Sequence, residues 1–329
     1  MRHSSHYRFS QDRGSRPSSR AAVLFCLSTV IAGCAGQSTP SPAPAPSAAP
    51  APTADRVGLP PAVLPAAPAV LPGAARRQEA TGADAVAARE EATRRILATV
   101  RAWGLDARPL TAPEPPASPP VLRSDPPQVI VRDGLPPVVR RVPTTDRVVF
   151  LTVDDGAEKD PEFARMAREL GIPFTAFVSG YLARPDYGYF RGLAAQGEPV
   201  QNHTLNHRDL RKLTYEQQRQ EICGQQDELE REIGARPRLF RPPYGEYTDT
   251  TLKAAGSCGI EAAALWNEEA FADHMEWRYA DQRLHPGDII LTHFRGPTLW
   301  KGTMPDMLRR VLNTVTEQGF ALALLDDYL

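Results

Sequence analysis

Residues 147–156, Arg-Val-Val-Phe-Leu-Thr-Val-Asp-Asp-Gly, constrain this chain more than any other stretch. A run of β-branched and aromatic residues stopped by two adjacent carboxylates and a glycine reads as a buried parallel strand that delivers polar groups at its C-terminal end. Strand ends of that kind are where α/β folds place their chemistry. Neighbouring carboxylates repel, so Asp154 and Asp155 call for a compensating cation or for two different tasks. Taken alone, Asp-Asp-Gly is equally a solvated turn.

The remainder of the chain favours the strand. Short apolar runs at 148–152, 174–178, 199–201, 238–240, 262–266, 288–292 and 321–325 alternate with helical patterns at 161–170, 187–195, 215–233, 250–257 and 305–317. Thr214 and Gln217 have the spacing of a capping box at the start of the longest helix. Strand and helix in alternation predict a parallel sheet closed, or nearly closed, as a barrel.

The N-terminal part is different in kind. Arg2, Arg8, Arg13, Arg16 and Arg20 precede an apolar stretch at 21–32 that is too short to span a bilayer and has the layout of a secretory signal. Removing residues 1–33, whose five Arg and one Asp carry a net +4, takes the whole-chain charge of −1 to about −5, which argues against nucleic acid as a partner. Residues 34–80 form a Pro/Ala-rich linker, an extended tether without a core. Residues 81–104 hold one short amphipathic helix, with Glu90/Arg94 and Glu91/Arg95 at i,i+4 and Ile96, Leu97, Val100 and Trp103 on one side. A second Pro-rich linker, 105–127, leads into a hairpin or extended segment at 129–142, and the domain that carries the chemistry spans 128–329.

Several predicted strands end in groups that can do chemistry. After 199–201 comes Asn202-His203-Thr204-Leu205-Asn206-His207; on a helical turn, histidines at i,i+4 share one face and can grip one metal ion. After 238–240 comes Arg241-Pro242-Pro243-Tyr244-Gly245, where two prolines remove two donors and aim the Tyr244 amide, which suits an oxyanion donor. The run at 288–292 ends in Leu291-Thr292-His293. Each motif has an ordinary structural reading by itself; three strand-end histidines with two aspartates make chance a poor account. Cys26 lies within the signal, and Cys223 and Cys258 lack metal-like spacing. Outside the cytoplasm they fit a disulfide closing about 35 residues, with an effect of about 3–4 kcal/mol.

In this order the motifs Thr152-Val153-Asp154-Asp155-Gly156, His203-Thr204-Leu205-Asn206-His207, Arg241-Pro242-Pro243-Tyr244-Gly245 and Leu291-Thr292-His293 resemble the polysaccharide deacetylases of carbohydrate esterase family 4, the NodB-homology domain. The resemblance covers about 138–329 and implies a distorted (β/α) barrel of about seven strands with a metal at its C-terminal mouth. It implies Asp155, His203 and His207 as ligands of a divalent ion, Zn²⁺ foremost and Co²⁺ as another fit, and Asp154 as general base. By the same resemblance Arg241 orients Asp154, the Tyr244 amide and the metal stabilise the oxyanion, and His293 is the general acid. Leu291 and Trp266 would contact substrate, Leu291 lining the pocket for the acetyl methyl. The segment ending Ile31-Ala32-Gly33-Cys34 resembles a bacterial lipoprotein signal, which makes Cys34 the expected lipidation site.

One motif departs. The family supplies an Asp that tunes the acid histidine and then a Trp, whereas the chain here reads Leu265-Trp266-Asn267-Glu268-Glu269-Ala270-Phe271-Ala272-Asp273. Glu268, Glu269, Asp273 or the displaced Glu276-Trp277 are candidates, and for at least two of these acids a solvated loop is the simpler expectation. The chain is therefore expected to be an exported, lipid-anchored, monomeric metal-dependent hydrolase that deacetylates N-acetylated wall or extracellular polysaccharide such as peptidoglycan or chitin-like polymer. An O-acetyl esterase on a wall polymer, and a tethered glycan-binding lipoprotein with little turnover, are the alternatives, and secretion without the anchor is the alternative location.

Overall fold

Eight consecutive buried residues make Val148–Asp155 the central strand of the molecule. The computed structural model describes residues 82–329. The signal segment, Cys34 and the first linker lie outside the described residues. A helix, α1 (Gly82–Ala102), is followed by a short antiparallel hairpin, β1 (Val129–Ile130) with β2 (Val138–Val139). The repeating part then runs β3 (Val148–Asp155), α2 (Pro161–Leu170), β4 (Thr175–Val178), α3 (Gly180–Ala183), α4 (Tyr187–Ala194), β5 (Val200–Asn202), α5 (Tyr215–Ile233), β6 (Leu239–Phe240), α6 (Asp249–Ser257) and β7 (Ala262–Ala264). It closes with β8 (Glu268–Ala270), β9 (Met275–Trp277), β10 (Ile289–His293), α7 (Met304–Glu317) and β11 (Ala321–Ala323).

The helices start where side chains can take up free backbone donors. Asp160 accepts from the amides of Glu162 and Phe163 ahead of α2, with Pro161 in the first turn. Thr214 and Gln217 form a reciprocal capping box on α5, and Thr248 with Thr251 does the same for α6.

The strands are ordered β1-β2-β7-β6-β5-β4-β3-β10-β8-β9, with β11 also on β3, and all pairings are parallel except the β1–β2 and β8–β9 hairpins. Arg141, just after β2, bridges Asp288 just before β10, so the sheet curls back on itself as a distorted barrel. Side chains of β3 alternate as strand geometry requires. Val149, Leu151 and Val153 pack outward with Phe163, Met166 and the α7 residues Leu308 and Val311. Val148 and Phe150 point inward to a second cluster with Phe177, Leu239, Ala264 and Ile289. Leu325, Tyr328 and Leu329 at the C-terminus join that interior, Tyr328 lying edge-on to Phe150 at 5.0 Å.

The structure decides two points that the sequence leaves open. The acidic stretch after Trp266 is not a solvated loop throughout: Glu268 and Glu269 form the buried strand β8, while Asp273 stays outside, paired with His274. The apolar side of α1 docks only at its end. Val100 and Leu105 enter the outer cluster and Trp103 packs beside it, donating to Glu169 at 2.8 Å, whereas Ile96 and Leu97 are exposed. Cys223 on α5 and Cys258 at the end of α6 are joined by a disulfide.

Candidate active site

The same alternation that points Phe150 inward carries Thr152 and Asp154 to the barrel interior at the C-terminal end of β3. Parallel pairing sets Leu291 beside Thr152 and His293 beside Asp154. In a regular strand Asp155 would face the opposite side from Asp154. Its φ of 76° breaks that alternation, so both carboxylates approach one imidazole: His203 Nε2 is 3.6 Å from Asp154 Oδ2 and 3.7 Å from Asp155 Oδ1.

The two histidines are not on a helical turn. Residues 203–207 form an irregular loop in which Thr204 and His207 take φ of 68° and 51°. Side chains hold that loop: Asn202 accepts from the Thr204 amide at 2.8 Å, Thr204 accepts from the His207 amide at 3.0 Å, and Ser179 donates to the His203 carbonyl at 2.7 Å. The loop still brings His207 Nε2 to 3.4 Å from Asp155 Oδ1.

Asp155, His203 and His207 each offer one ligand atom, all within 4.8 Å of one another. His203 Nδ1 lies 2.7 Å from the Arg241 carbonyl, which can only accept, so that nitrogen carries the proton and Nε2 is left with its lone pair toward Asp155. Burial pushes His203 and His207 down to about 4, keeping both neutral. Burial would raise Asp155, but His293, His203, His207 and Arg295 override it and hold the carboxyl at about 2. Two neutral imidazoles and one carboxylate fit a divalent ion such as zinc.

Asp154 is built for a different task. Burial pushes it up to about 7, opposed by Arg241 and reinforced by Asp155. Arg241 is fully buried between the Phe177 and Trp266 rings; its Nη1 donates to Asp154 Oδ1 at 2.6 Å and to Thr152 at 2.8 Å, and its Nε donates to the Ala264 carbonyl at 2.9 Å. Pro242 and Pro243 turn the chain into Tyr244, whose φ is 64°. The Tyr244 side chain is exposed, with its ring 4.7 Å from that of His207, and its amide donates to no protein group among the described residues. Trp266 packs under Gly245, where an added Cβ would meet its ring at 2.8 Å. Leu291 is buried and pairs with Thr152, and His293, the partner of Asp154, is the next residue along the same face.

Of the acidic candidates near His293, Glu269 is the one beside it, with Oε1 3.5 Å from His293 Nδ1. Burial disfavours charge on both, lowering His293 to about 3 and raising Glu269 to about 7. Sequence reasoning missed Arg295 altogether. Its guanidinium donates to Asp155 Oδ2 at 3.0 Å, and only its position two residues after His293 hints at this.

Residues 141–263 match the family model for polysaccharide deacetylase; His293 lies beyond that match. An uncharacterized protein of Streptomyces coelicolor is 47% identical over 196 residues, covering 59% of this chain and 78% of its own. A chitooligosaccharide deacetylase of Sinorhizobium fredii is 30% identical over 168 residues, covering 44% of this chain and 71% of its own. The solved structure of a peptidoglycan N-acetylglucosamine deacetylase superposes with a TM-score of 0.52 at 24% identity, over 58% of this chain and 92% of that one, and so shares its fold. By these matches the chain belongs to the polysaccharide deacetylase family.

Proposed function

We propose that the protein is a metal-dependent deacetylase that hydrolyses N-acetyl groups of cell-wall or extracellular polysaccharide. The observation that carries this reading is the convergence of Asp154, Asp155, His203 and His207 at one strand end, with Asp154 tied to Arg241 and Asp155 facing both histidines. The chitooligosaccharide deacetylase among the relatives supports an N-acetylated glycan as substrate.

Asp155, His203 and His207 would hold a divalent ion, Zn²⁺ or Co²⁺ by donor chemistry, which when bound supplies Lewis acidity to an acyl oxygen and acidifies water. Asp154 takes the proton from the attacking water, and Arg241 keeps it aimed and favours its ionised form. The Tyr244 amide donates to the oxyanion that develops on the acetyl carbonyl oxygen, and Leu291 covers the methyl. His293 returns a proton to the departing sugar amine. Glu269, with Oε1 3.5 Å from His293 Nδ1, is the carboxylate placed to support an imidazolium there.

The N-terminal residues add a location to the proposal: export, followed by lipid anchoring through Cys34 on the outer face of the cell membrane, which favours peptidoglycan as the polymer. Fatty-acid labelling that vanishes in Cys34→Ser checks the anchor. For the chemistry, acetate release is measured from N-acetylchitooligosaccharides and peptidoglycan fragments, with and without added Zn²⁺ or Co²⁺. Metal-dependent release is expected, and it should fall by about 10²–10⁴ in Asp154→Asn with metal content retained. Release only from O-acetyl esters, or none with metal bound, would overturn the reading.

A further inference from the structure

We infer that Arg295 is a positioning residue that makes Asp155 a one-oxygen ligand; the inference rests on the metal site proposed above. The two carboxylate oxygens of Asp155 are divided between different neighbours. Oδ1 faces His207 Nε2 at 3.4 Å and His203 Nε2 at 3.7 Å, whereas Oδ2 accepts from Arg295 Nη2 at 3.0 Å. A carboxylate oxygen that already accepts from a guanidinium is a poorer donor to a cation than its free neighbour, and an arginine cannot relieve this by losing its proton.

The backbone that carries Arg295 is fixed against the same strand end. Phe294 donates its amide to the Asp154 carbonyl at 2.9 Å and accepts from the Glu158 amide at 2.9 Å. Its ring is fully buried, edge-on to Phe163, Phe190 and Tyr189. Arg295 thus leaves a rigid point, with a side chain only 30% exposed over an Asp155 side chain that is 9% exposed. His203 is treated in the same way, since its Nδ1 is taken by the Arg241 carbonyl. In both residues the atom pointing away from the ligand cluster is tied by a neighbour, which is how outer partners orient ligands. One oxygen and two nitrogens leave room for water and an acyl oxygen, whereas a two-oxygen Asp155 would occupy a further position.

The test uses Co²⁺ as probe in the full chain, because its visible d–d absorption weakens as coordination number rises. Wild type, Arg295→Ala and Arg295→Lys are compared at saturating Co²⁺. Arg295→Ala is expected to lose band intensity as Asp155 turns to bind with both oxygens, and Arg295→Lys, which restores a charged donor, to recover it. Co²⁺ uptake with an unchanged Arg295→Ala spectrum overturns this inference alone. A wild-type chain that takes up no Co²⁺ removes the metal-site reading and the inference together.

Discussion

Four of the five non-glycine residues with positive φ among those described, Asp155, Thr204, His207 and Tyr244, lie in the candidate site. Each such conformation costs about 1–2 kcal/mol in an L-residue, so it persists only where the surroundings impose it. At Asp155 it turns a second carboxylate toward the ligands, and at Tyr244 it accompanies the free amide. Because the amide is the acting group there, Tyr244→Phe should leave kcat unchanged; a loss approaching that of Asp154→Asn would shift the role to the phenol. Gly245→Ala should be damaging, since φ is +67° and the added carbon meets Trp266 at 2.8 Å. A lowered kcat together with a lowered melting temperature is the expected signature. The residue types were legible because carboxylates and imidazoles at strand ends have few other uses. The φ of Asp155 was not, because nothing in Asp-Asp-Gly separates a left-handed Asp155 from an ordinary one.

Elements were legible where period and caps agree and failed where side chains overrule local pattern. The helix α2 begins at Pro161 and ends at Leu170, as the sequence pattern predicts, because Asp160 caps it and Gly171 takes the left-handed cap. The His203–His207 segment has helical spacing but no helix, since Asn202 and Thr204 draw its amides to their own oxygens. The strand β8 escaped notice because two adjacent glutamates mimic a solvated loop. In the structure Glu269 faces His293, and Glu268 lies beside buried Asp288. Burial first, and then Asp288, raises Glu268 from 4.5 to about 9. At neutral pH the folded chain therefore keeps a proton there that the unfolded chain has lost. The unfolded state binds fewer protons, so this group's contribution is fully present below pH 4.5 and is lost as pH rises toward 9. Glu268→Gln should remove that slope, giving a melting temperature that declines less than wild type between pH 5 and 9. Parallel profiles for the two proteins would show that Glu268 titrates normally.

At the scale of the molecule, the point where the N-terminal segment joins the barrel is far from the chemistry. The C-terminal half of α2 runs back toward the N-terminal ends of the parallel strands, and it is there that Trp103 meets Glu169 and lies under Arg165. Leu110 bridges Ala321 at the start of β11, on the same end. Arg309 of α7 donates to the Trp103 carbonyl at 2.7 Å, and Asn313 donates to Asp106. The candidate site opens at the other end, after β3, β5, β6 and β10. Helical periodicity alone did not reveal this docking, because Ile96 and Leu97 share the apolar side with Val100 and yet stay exposed. Burying Val100 and Leu105 contributes about 1.5–3 kcal/mol each before the cost of ordering the segment is subtracted. Deleting residues 82–108 should therefore lower the melting temperature, by about 2–4 °C for each kcal/mol lost. Metal affinity and kcat/KM on short chitooligosaccharides should be unchanged, because none of that segment's described groups touches the site. A deletion that weakens metal binding at an unchanged melting temperature would instead place α1 in contact with the chemistry.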